Sequence, residues 1–262
     1  MVFCSLYSGS SGNSIFIGSE KTKILVDAGL TGKSIISALD NIGESPCELN
    51  GIVVTHEHSD HVKGVGILSR KFDIPIYANE KTWIAMERNL GKIRPQNMMI
   101  VEKDFTIRDM EISSFRVPHD AAACRGYTIT QGGKKISIAT DIGVFTEEIR
   151  KSILESDLVL LESNHDVEML KFGPYPYDLK RRVLSEVGHL SNVDAGKAAL
   201  EILKYGKKKI VLGHLSGTNN IPELAFKTVE NIFLEEKLSI GKGLDVDLAL
   251  ASRIRPSSYT EV

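Results

Sequence analysis

The segment Thr55-His-Glu-His-Ser-Asp-His61 places three histidines and an aspartate within six positions. Imidazole and carboxylate are the ligands that borderline and hard divalent metals take. Alternate residues of an extended segment point the same way, so His56 and His58 can chelate one ion. Asp60 and His61, just past the bend, can turn toward a second. The chain's seven histidines are an ordinary total, but so tight a cluster is a poor fit to a solvated polar loop. Further candidates stand singly, each at the end of an apolar run: His119 after Phe115-Arg-Val-Pro118, Asp141 after Ile136-Ser-Ile-Ala-Thr140, and His214 after Ile210-Val-Leu-Gly213. Taken one at a time, a lone histidine after a strand is more often a hydrogen-bonded structural residue, and a lone aspartate more often a helix N-cap. Their shared placement favours ligation, because strand ends on one edge of a sheet converge in space and can complete two coordination shells.

Lys171 to Arg182 mixes basic and aromatic residues. Lys180, Arg181 and Arg182 can grip phosphates, and Tyr175 or Tyr177 can stack on a base or sugar. A Pro-anchored loop followed by a solvated helix face is the alternative. Ser8-Gly-Ser-Ser-Gly-Asn-Ser14 is a Gly/Ser-rich loop whose backbone N–H groups could hold an anion. The run Lys207-Lys208-Lys209 reads as charge complementing the C-terminal dipole of the helix before it.

The elements that must position these residues are legible from apolar spacing. Ser14–Ile17 and Lys23–Val26 read as a hairpin, Gly51–Thr55 as a buried strand, and Pro75–Tyr77 as another. Later, Ile107–Val117 gives strands, Ile129–Thr140 a hairpin around Gly132-Gly133, and Leu158–Glu162 and Ile210–Leu212 buried strands. Helical spacing marks Lys33–Asn41, Val62–Phe72, Ala195–Tyr205 and Glu223–Lys237. Strands followed by crossing helices, with hairpins early and late, predict α/β layers with helices outside mixed sheets.

Composition narrows the class. A chain of 262 residues with 42% hydrophobic and 25% charged residues can bury a substantial core, and with no long linker or repeat one domain over residues 1–262 is expected. Cys4, Cys47 and Cys124 are too few and scattered for a disulfide scaffold or a Cys4 zinc site and fit a reducing compartment. No apolar run approaches a membrane span, and the N-terminus lacks the features of a signal peptide, so a cytoplasmic protein without membrane contact is expected. The formal net charge of -2 gives no global basic field, so any nucleic-acid grip must be a local patch.

With these residues in hand, HEHSDH followed by His119, Asp141 and His214 resembles the binuclear metal site of the metallo-β-lactamase superfamily, across nearly the whole chain. The resemblance implies an αββα four-layer sandwich. It puts His56, His58 and His119 on one metal, Asp60, His61 and His214 on the other, and Asp141 between them. Asp27, in Leu25-Val-Asp-Ala-Gly29, would orient a ligand loop, although a turn-forming aspartate reads equally well from the residues alone. Asp141 stands where true metallo-β-lactamases carry Cys, which disfavours antibiotic hydrolysis, and His58 stands where flavodiiron oxidoreductases carry Glu, which disfavours redox chemistry. Leu161-Glu-Ser-Asn-His-Asp166 and Val187-Gly-His-Leu-Ser-Asn192 resemble the strand-end Glu and His loop of nuclease members, so Glu162 and His189 would act together as a proton donor. A capping neighbour of the following helix is the structural alternative for His189. His165 has no ligand role in that pattern. SGSSGN, LVDAG, THEHSDHVKG, ATDIG, ESNHD, GHLSN and LGHLS are together similar to the YycJ/WalJ branch, small bacterial proteins regarded as nucleases acting on double-stranded DNA from a 5′ end. His119, Asp141 and His214 follow too closely for a tRNA-gripping arm or an inserted β-CASP domain.

The resemblance thus implies a binuclear phosphodiesterase, a 5′-to-3′ exonuclease on double-stranded DNA. Two divalent ions, zinc or manganese with iron as an option, would hold a hydroxide that attacks phosphorus. Asp60, His189 and Glu162 are its expected catalytic residues, nucleic acid its expected partner, and no obligate protein partner is evident. The alternatives are a glyoxalase II-type thioester hydrolase and a non-catalytic, metal-stabilised nucleotide-binding regulator.

Overall fold

Side chains alternate across each strand, and here that alternation divides the apolar residues among three cores stacked between four layers. The computed structural model describes residues 1–262. Strands β1 (Val2–Tyr7), β2 (Ser14–Gly18), β3 (Lys23–Val26), β4 (Gly51–Val53), β5 (Ile76–Ala78) and β6 (Met98–Ile100) lie side by side in one sheet. Strands β7 (Phe105–Ile107), β8 (Met110–Arg116), β9 (Arg125–Gln131), β10 (Lys134–Ala139), β11 (Leu158–Glu162), β12 (Lys208–Gly213) and β13 (Val246–Leu250) form the second, and β14 (Thr260–Glu261) returns to the first beside β1. Helices α1 (Gly32–Asn41), α2 (Ser59–Val62), α3 (Val65–Phe72) and α4 (Glu80–Leu90) follow strands of the first sheet; α5 (Glu147–Ile153), α6 (Val167–Phe172), α7 (Tyr177–Val183), α8 (Asn192–Leu203) and α9 (Pro222–Glu235) belong to the second half.

On β3, Leu25 packs with Ile35 and Leu39 of α1, while Ile24 and Val26 face the second sheet. On β11, Leu158 and Leu160 face the first sheet, and Val159 and Leu161 pack with Ala199 of α8 and Phe233 of α9. The architecture is therefore helix, sheet, sheet, helix, the αββα sandwich that the sequence resemblance implies. Tyr127 lies wholly in the middle core, and its hydroxyl donates to the Val54 carbonyl at 2.9 Å, tying the second sheet to the approach of the histidine loop. No helix is long and apolar enough to cross a membrane.

Strand direction explains why chemistry gathers on one edge. β3 and β4 pair in parallel, as do β10, β11 and β12, so Asp27, the 55–61 loop, Asp141, Glu162 and His214 all follow C-terminal strand ends. β1 and β8 run in the same sense as β3 and β10, two antiparallel steps away, which brings Ser8 and His119 to the same edge.

Several local expectations change. The helix expected over Val62–Phe72 breaks into α2 and α3 at Gly64, whose N–H donates to Ala28 at 2.7 Å. A Cβ there would stand 2.5 Å from the Leu30 carbonyl oxygen, so the two loops approach too closely for any side chain. Lys208 is buried in β12 rather than trailing α8, and its ammonium donates to the carbonyls of Ser156 (3.0 Å) and Leu154. It therefore serves the C-terminus of α5. The Ser8–Ser14 loop is not an open anion nest. The amides of Gly9, Ser10, Gly12 and Asn13 already donate to Asn13 Oδ1, Leu215, Gly9 and Asp60, respectively.

Candidate metal centre

Asp27 sets the first half of the site. It leaves β3 in the left-handed region, at φ 61°, a conformation that aspartate tolerates better than most residues. Its Oδ1 accepts the Thr55 N–H at 2.8 Å and its Oδ2 the Thr55 hydroxyl at 2.8 Å. The same Oδ2 lies 2.7 Å from His61 Nδ1, and Thr55 Oγ1 lies 3.0 Å from His56 Nδ1. Since the carboxylate and the committed hydroxyl oxygen must accept, both imidazoles donate through Nδ1 and turn their Nε2 atoms inward. His119 is fixed alike, with Nδ1 3.2 Å from the Gly188 carbonyl, so its Nε2 faces His58 Nδ1 at 3.3 Å.

Asn13 brackets the loop. Its N–H donates to the Asp60 carbonyl at 2.8 Å, and its carboxamide nitrogen lies 3.1 Å from His61 Nε2. Gly29 completes the clamp, because a Cβ at that position would fall 1.6 Å from the Asp60 oxygen.

The second half is built around Asp141 and His214, also left-handed at φ 61° and 53°. His214 is held on both backbone faces: its N–H donates to Ser8 Oγ at 2.8 Å, and its carbonyl accepts from Asn164 Nδ2 at 3.0 Å. Asp141 stands between the two groups of imidazoles. Its Oδ1 is 3.7 Å from His119 Nε2, and its Oδ2 is 3.4 Å from His61 Nε2 and 3.3 Å from His214 Nδ1. Asp60 approaches His61 Nε2 at 3.6 Å.

The donor set fits divalent metal. One ligand atom from each of His56, His58 and His119 lies within 4.8 Å of the other two, and the same holds for Asp60, His61 and His214. His56 Nε2, Asp141 Oδ2 and His214 Nδ1 are buried without a hydrogen-bond partner, a costly arrangement unless a cation is meant to meet them. The electrostatics agree. Burial opposes charge on His61, yet the carboxylates of Asp141 and Asp27 lift its pKa to about 10. Burial likewise opposes the Asp141 charge, and His214 and His61 overrule it, holding its pKa well below the usual carboxylate range. Burial, aided by the neighbouring His61, keeps His56 well below the ordinary imidazole value, so its ring is neutral and available as a ligand.

Glu162 is the counterpart of Asp27 on the second sheet. Fully buried at the end of β11, it accepts the N–H groups of Ile142 (2.7 Å) and Leu190 (3.0 Å) on Oε2. Its Oε1 lies 2.8 Å from His189 Nδ1. One carboxylate thus fixes the turn after Asp141 and the loop carrying His189. Burial disfavours charge on His189, but Glu162 outweighs it and raises the pKa to about 9, so the ring is an imidazolium at neutral pH. Its ring centroid lies 5.1 Å from that of His119 and 5.3 Å from that of His214.

Other sequence candidates fare differently. Tyr175 and Arg182 line a cavity with His189, whereas Tyr177, Lys180 and Arg181 are not among its walls. Tyr177 is exposed with the Arg181 guanidinium 5.8 Å from its ring centre, and Lys180 donates to the Lys171 carbonyl at 2.8 Å. His165 is buried with neither ring nitrogen bonded, and burial lowers its pKa to about 4, leaving it neutral. The roles of Thr55, Asn13, Ser8 and Asp120 are not readable from sequence. Only adjacency to the histidine motif and to His119 marks Thr55 and Asp120, and the Gly/Ser-rich loop marks Ser8 and Asn13 for anion binding rather than for holding His214 and the Asp60 loop.

A family model described as a beta-lactamase superfamily domain matches residues 22–215. The exodeoxyribonuclease WalJ of Streptococcus pneumoniae serotype 2 (strain D39 / NCTC 7466) is 46% identical over 240 residues, 90% of this chain and 89% of that one. The exodeoxyribonuclease YycJ of Bacillus anthracis is 42% identical over 246 residues, 93% of each chain. Among solved structures, the metallo-beta-lactamase fold protein YhfI from Bacillus subtilis matches with a TM-score of 0.70 at 15% identity, covering 98% of this chain and 100% of that one, a likeness of fold alone. The matched family, the fold and these two relatives agree: the chain belongs to the metallo-β-lactamase superfamily, in its WalJ/YycJ-like branch, and is a metal-dependent hydrolase.

Proposed function

We propose that this protein is a binuclear metal-dependent phosphodiesterase that removes nucleotides from the 5′ ends of double-stranded DNA. The observation that carries the reading is the Glu162–His189 pair, a held imidazolium beside the cluster of His and Asp donors. His56, His58 and His119 would hold one ion and Asp60, His61 and His214 the other, with one oxygen of Asp141 toward each group. Divalent ions so held, zinc or manganese, would supply Lewis acidity to a phosphoryl oxygen and acidify the attacking water.

The chain's own residues do the rest. An alkoxide is a poor leaving group, and His189, through the Nε2 proton left free by its bond to Glu162, protonates the departing sugar oxygen. Glu162 keeps the imidazole charged and oriented. Asp27 and Thr55 orient His56 and His61. The names of the WalJ and YycJ relatives, both exodeoxyribonucleases, support DNA as the substrate.

The class of reaction is tested by assaying purified, metal-counted protein on bis-p-nitrophenyl phosphate and on S-lactoylglutathione. Turnover of the phosphodiester with none of the thioester is expected. The reverse result would transfer the protein to the glyoxalase II-type reading.

A further inference from the structure

Arg182, Asp120 and Tyr175 are gathered on one side of the metal centre, in a cavity of about 140 Å³ that also touches His189, Asn164 and Asn219. Asp120 Oδ1 lies 3.5 Å from His119 Nε2, and its Oδ2 accepts from Arg182 Nε. That ion pair leaves both terminal nitrogens of the guanidinium without a protein partner. A braced guanidinium with two free donors is suited to a phosphate. It stands one carboxylate away from the candidate metal ligand His119.

We infer that this cavity receives the 5′-phosphate end of the strand being cut and that Arg182, positioned by Asp120, binds that phosphate. The inference rests on the phosphodiesterase reading and deepens it. The group that takes the His189 proton must lie on the His189 side of the scissile phosphorus, and this cavity is on that side. At about 140 Å³ it has room for a terminal phosphate and not for a continuing duplex, so what enters is a chain end. Across His119 a groove of about 480 Å³ carries Lys81, Arg116 and Arg125 against Glu80 and Glu102, and offers the uncut strand its path.

The chemistry closes on itself. The oxygen of water bonds to phosphorus, the bond to the O3′ of the terminal nucleotide breaks, and the His189 proton passes to that oxygen. The released nucleotide carries a 3′-hydroxyl, and the phosphoryl group stays on the remaining strand as a new 5′-phosphate. Each cut therefore regenerates the group that Arg182 binds. A 5′-hydroxyl end is slow in its first cleavage only, and later cuts proceed at the rate of the phosphorylated substrate.

The test follows single-nucleotide release from duplexes with a 5′-phosphate or a 5′-hydroxyl, using the full chain with added Mn²⁺. Affinity for ends is measured in parallel on the metal-loaded protein by competition anisotropy, with duplexes whose first linkage is a cleavage-resistant phosphorothioate. The expected first-cut ratio is about tenfold or more in favour of the phosphate, with a lag on hydroxyl ends and a matching difference in affinity. Arg182→Gln brings both ratios close to one. Asp120→Asn lowers them partly, and the double variant resembles Arg182→Gln, as expected if Asp120 acts through the arginine. Equal first-cut rates in the wild type, or a preference that survives Arg182→Gln, would overturn the inference while leaving an active nuclease. Absence of any DNA cleavage by the metal-loaded wild type would overturn the underlying reading as well.

Discussion

Two buried carboxylates, one per sheet, organise the site. Asp27 fixes the tautomers of His56 and His61, so Asp27→Asn removes the acceptor that turns their Nε2 atoms inward. We expect metal affinity to fall about 10–100-fold, measured by chelator competition. Glu162 and His189 are expected to matter in proportion to the leaving group. On DNA, His189→Ala should lower kcat by about 10²–10⁴-fold. On bis-p-nitrophenyl phosphate, whose leaving group departs without a proton, the loss should be far smaller. Equal losses on both substrates would show that His189 serves structure or binding rather than proton transfer. Much at this scale was legible: the HEHSDH cluster announces itself by density alone. His119, Asp141 and His214 acquire significance only through their common place at strand ends. The Ser8–Ser14 loop was legible as a loop, but the roles of Asn13 and Ser8 were not, because their partners, Asp60 and His214, are remote in sequence and the contacts exist only after folding.

At the scale of elements, close approach governs. The Leu25-Val-Asp-Ala-Gly29 turn abuts the Asp60 carbonyl so tightly that Gly29→Ala would require backbone to move. We expect that variant to lose bound metal and to melt lower, by about 1–3 kcal/mol as for other overpacked sites, read by metal counting and thermal denaturation. The basic run on α7 shows what a string of letters hides. Lys180, Arg181 and Arg182 are adjacent in sequence, but successive helical residues diverge by about 100°. They therefore cannot face one ligand together, and Arg182 alone lines the cavity beside His189. Lys208 departs from its expected place for a related reason. A lysine after a helix suggests a solvated end, whereas here the strand begins two residues before its apolar core and buries the stem.

At the scale of the molecule, the layer order followed from alternation and from crossing helices, while the two-residue β14 did not, being fixed only by its pairing to β1. The α4 helix does carry helical spacing, in Trp83, Met86 and Leu90, within an otherwise polar sequence. The middle core joins both sheets through residues such as Ile24, Ile129 and Leu160. We propose that the chain unfolds as one unit, with a single calorimetric transition that shifts upward with bound metal. Ile129→Ala, at a fully buried position, should cost about 2–5 kcal/mol without splitting that transition.

The central claim is that strand ends from both sheets assemble a two-metal centre that cuts DNA from its end. The most direct measurement is cleavage of end-labelled double-stranded DNA by protein with its metals counted, across added Mn²⁺, Mg²⁺ and Zn²⁺, with Asp60→Ala alongside. The account predicts two ions per chain and stepwise loss from the 5′ end that the variant lacks. Protein holding two ions that leaves DNA intact with every metal, or a variant as active as the wild type, would contradict it.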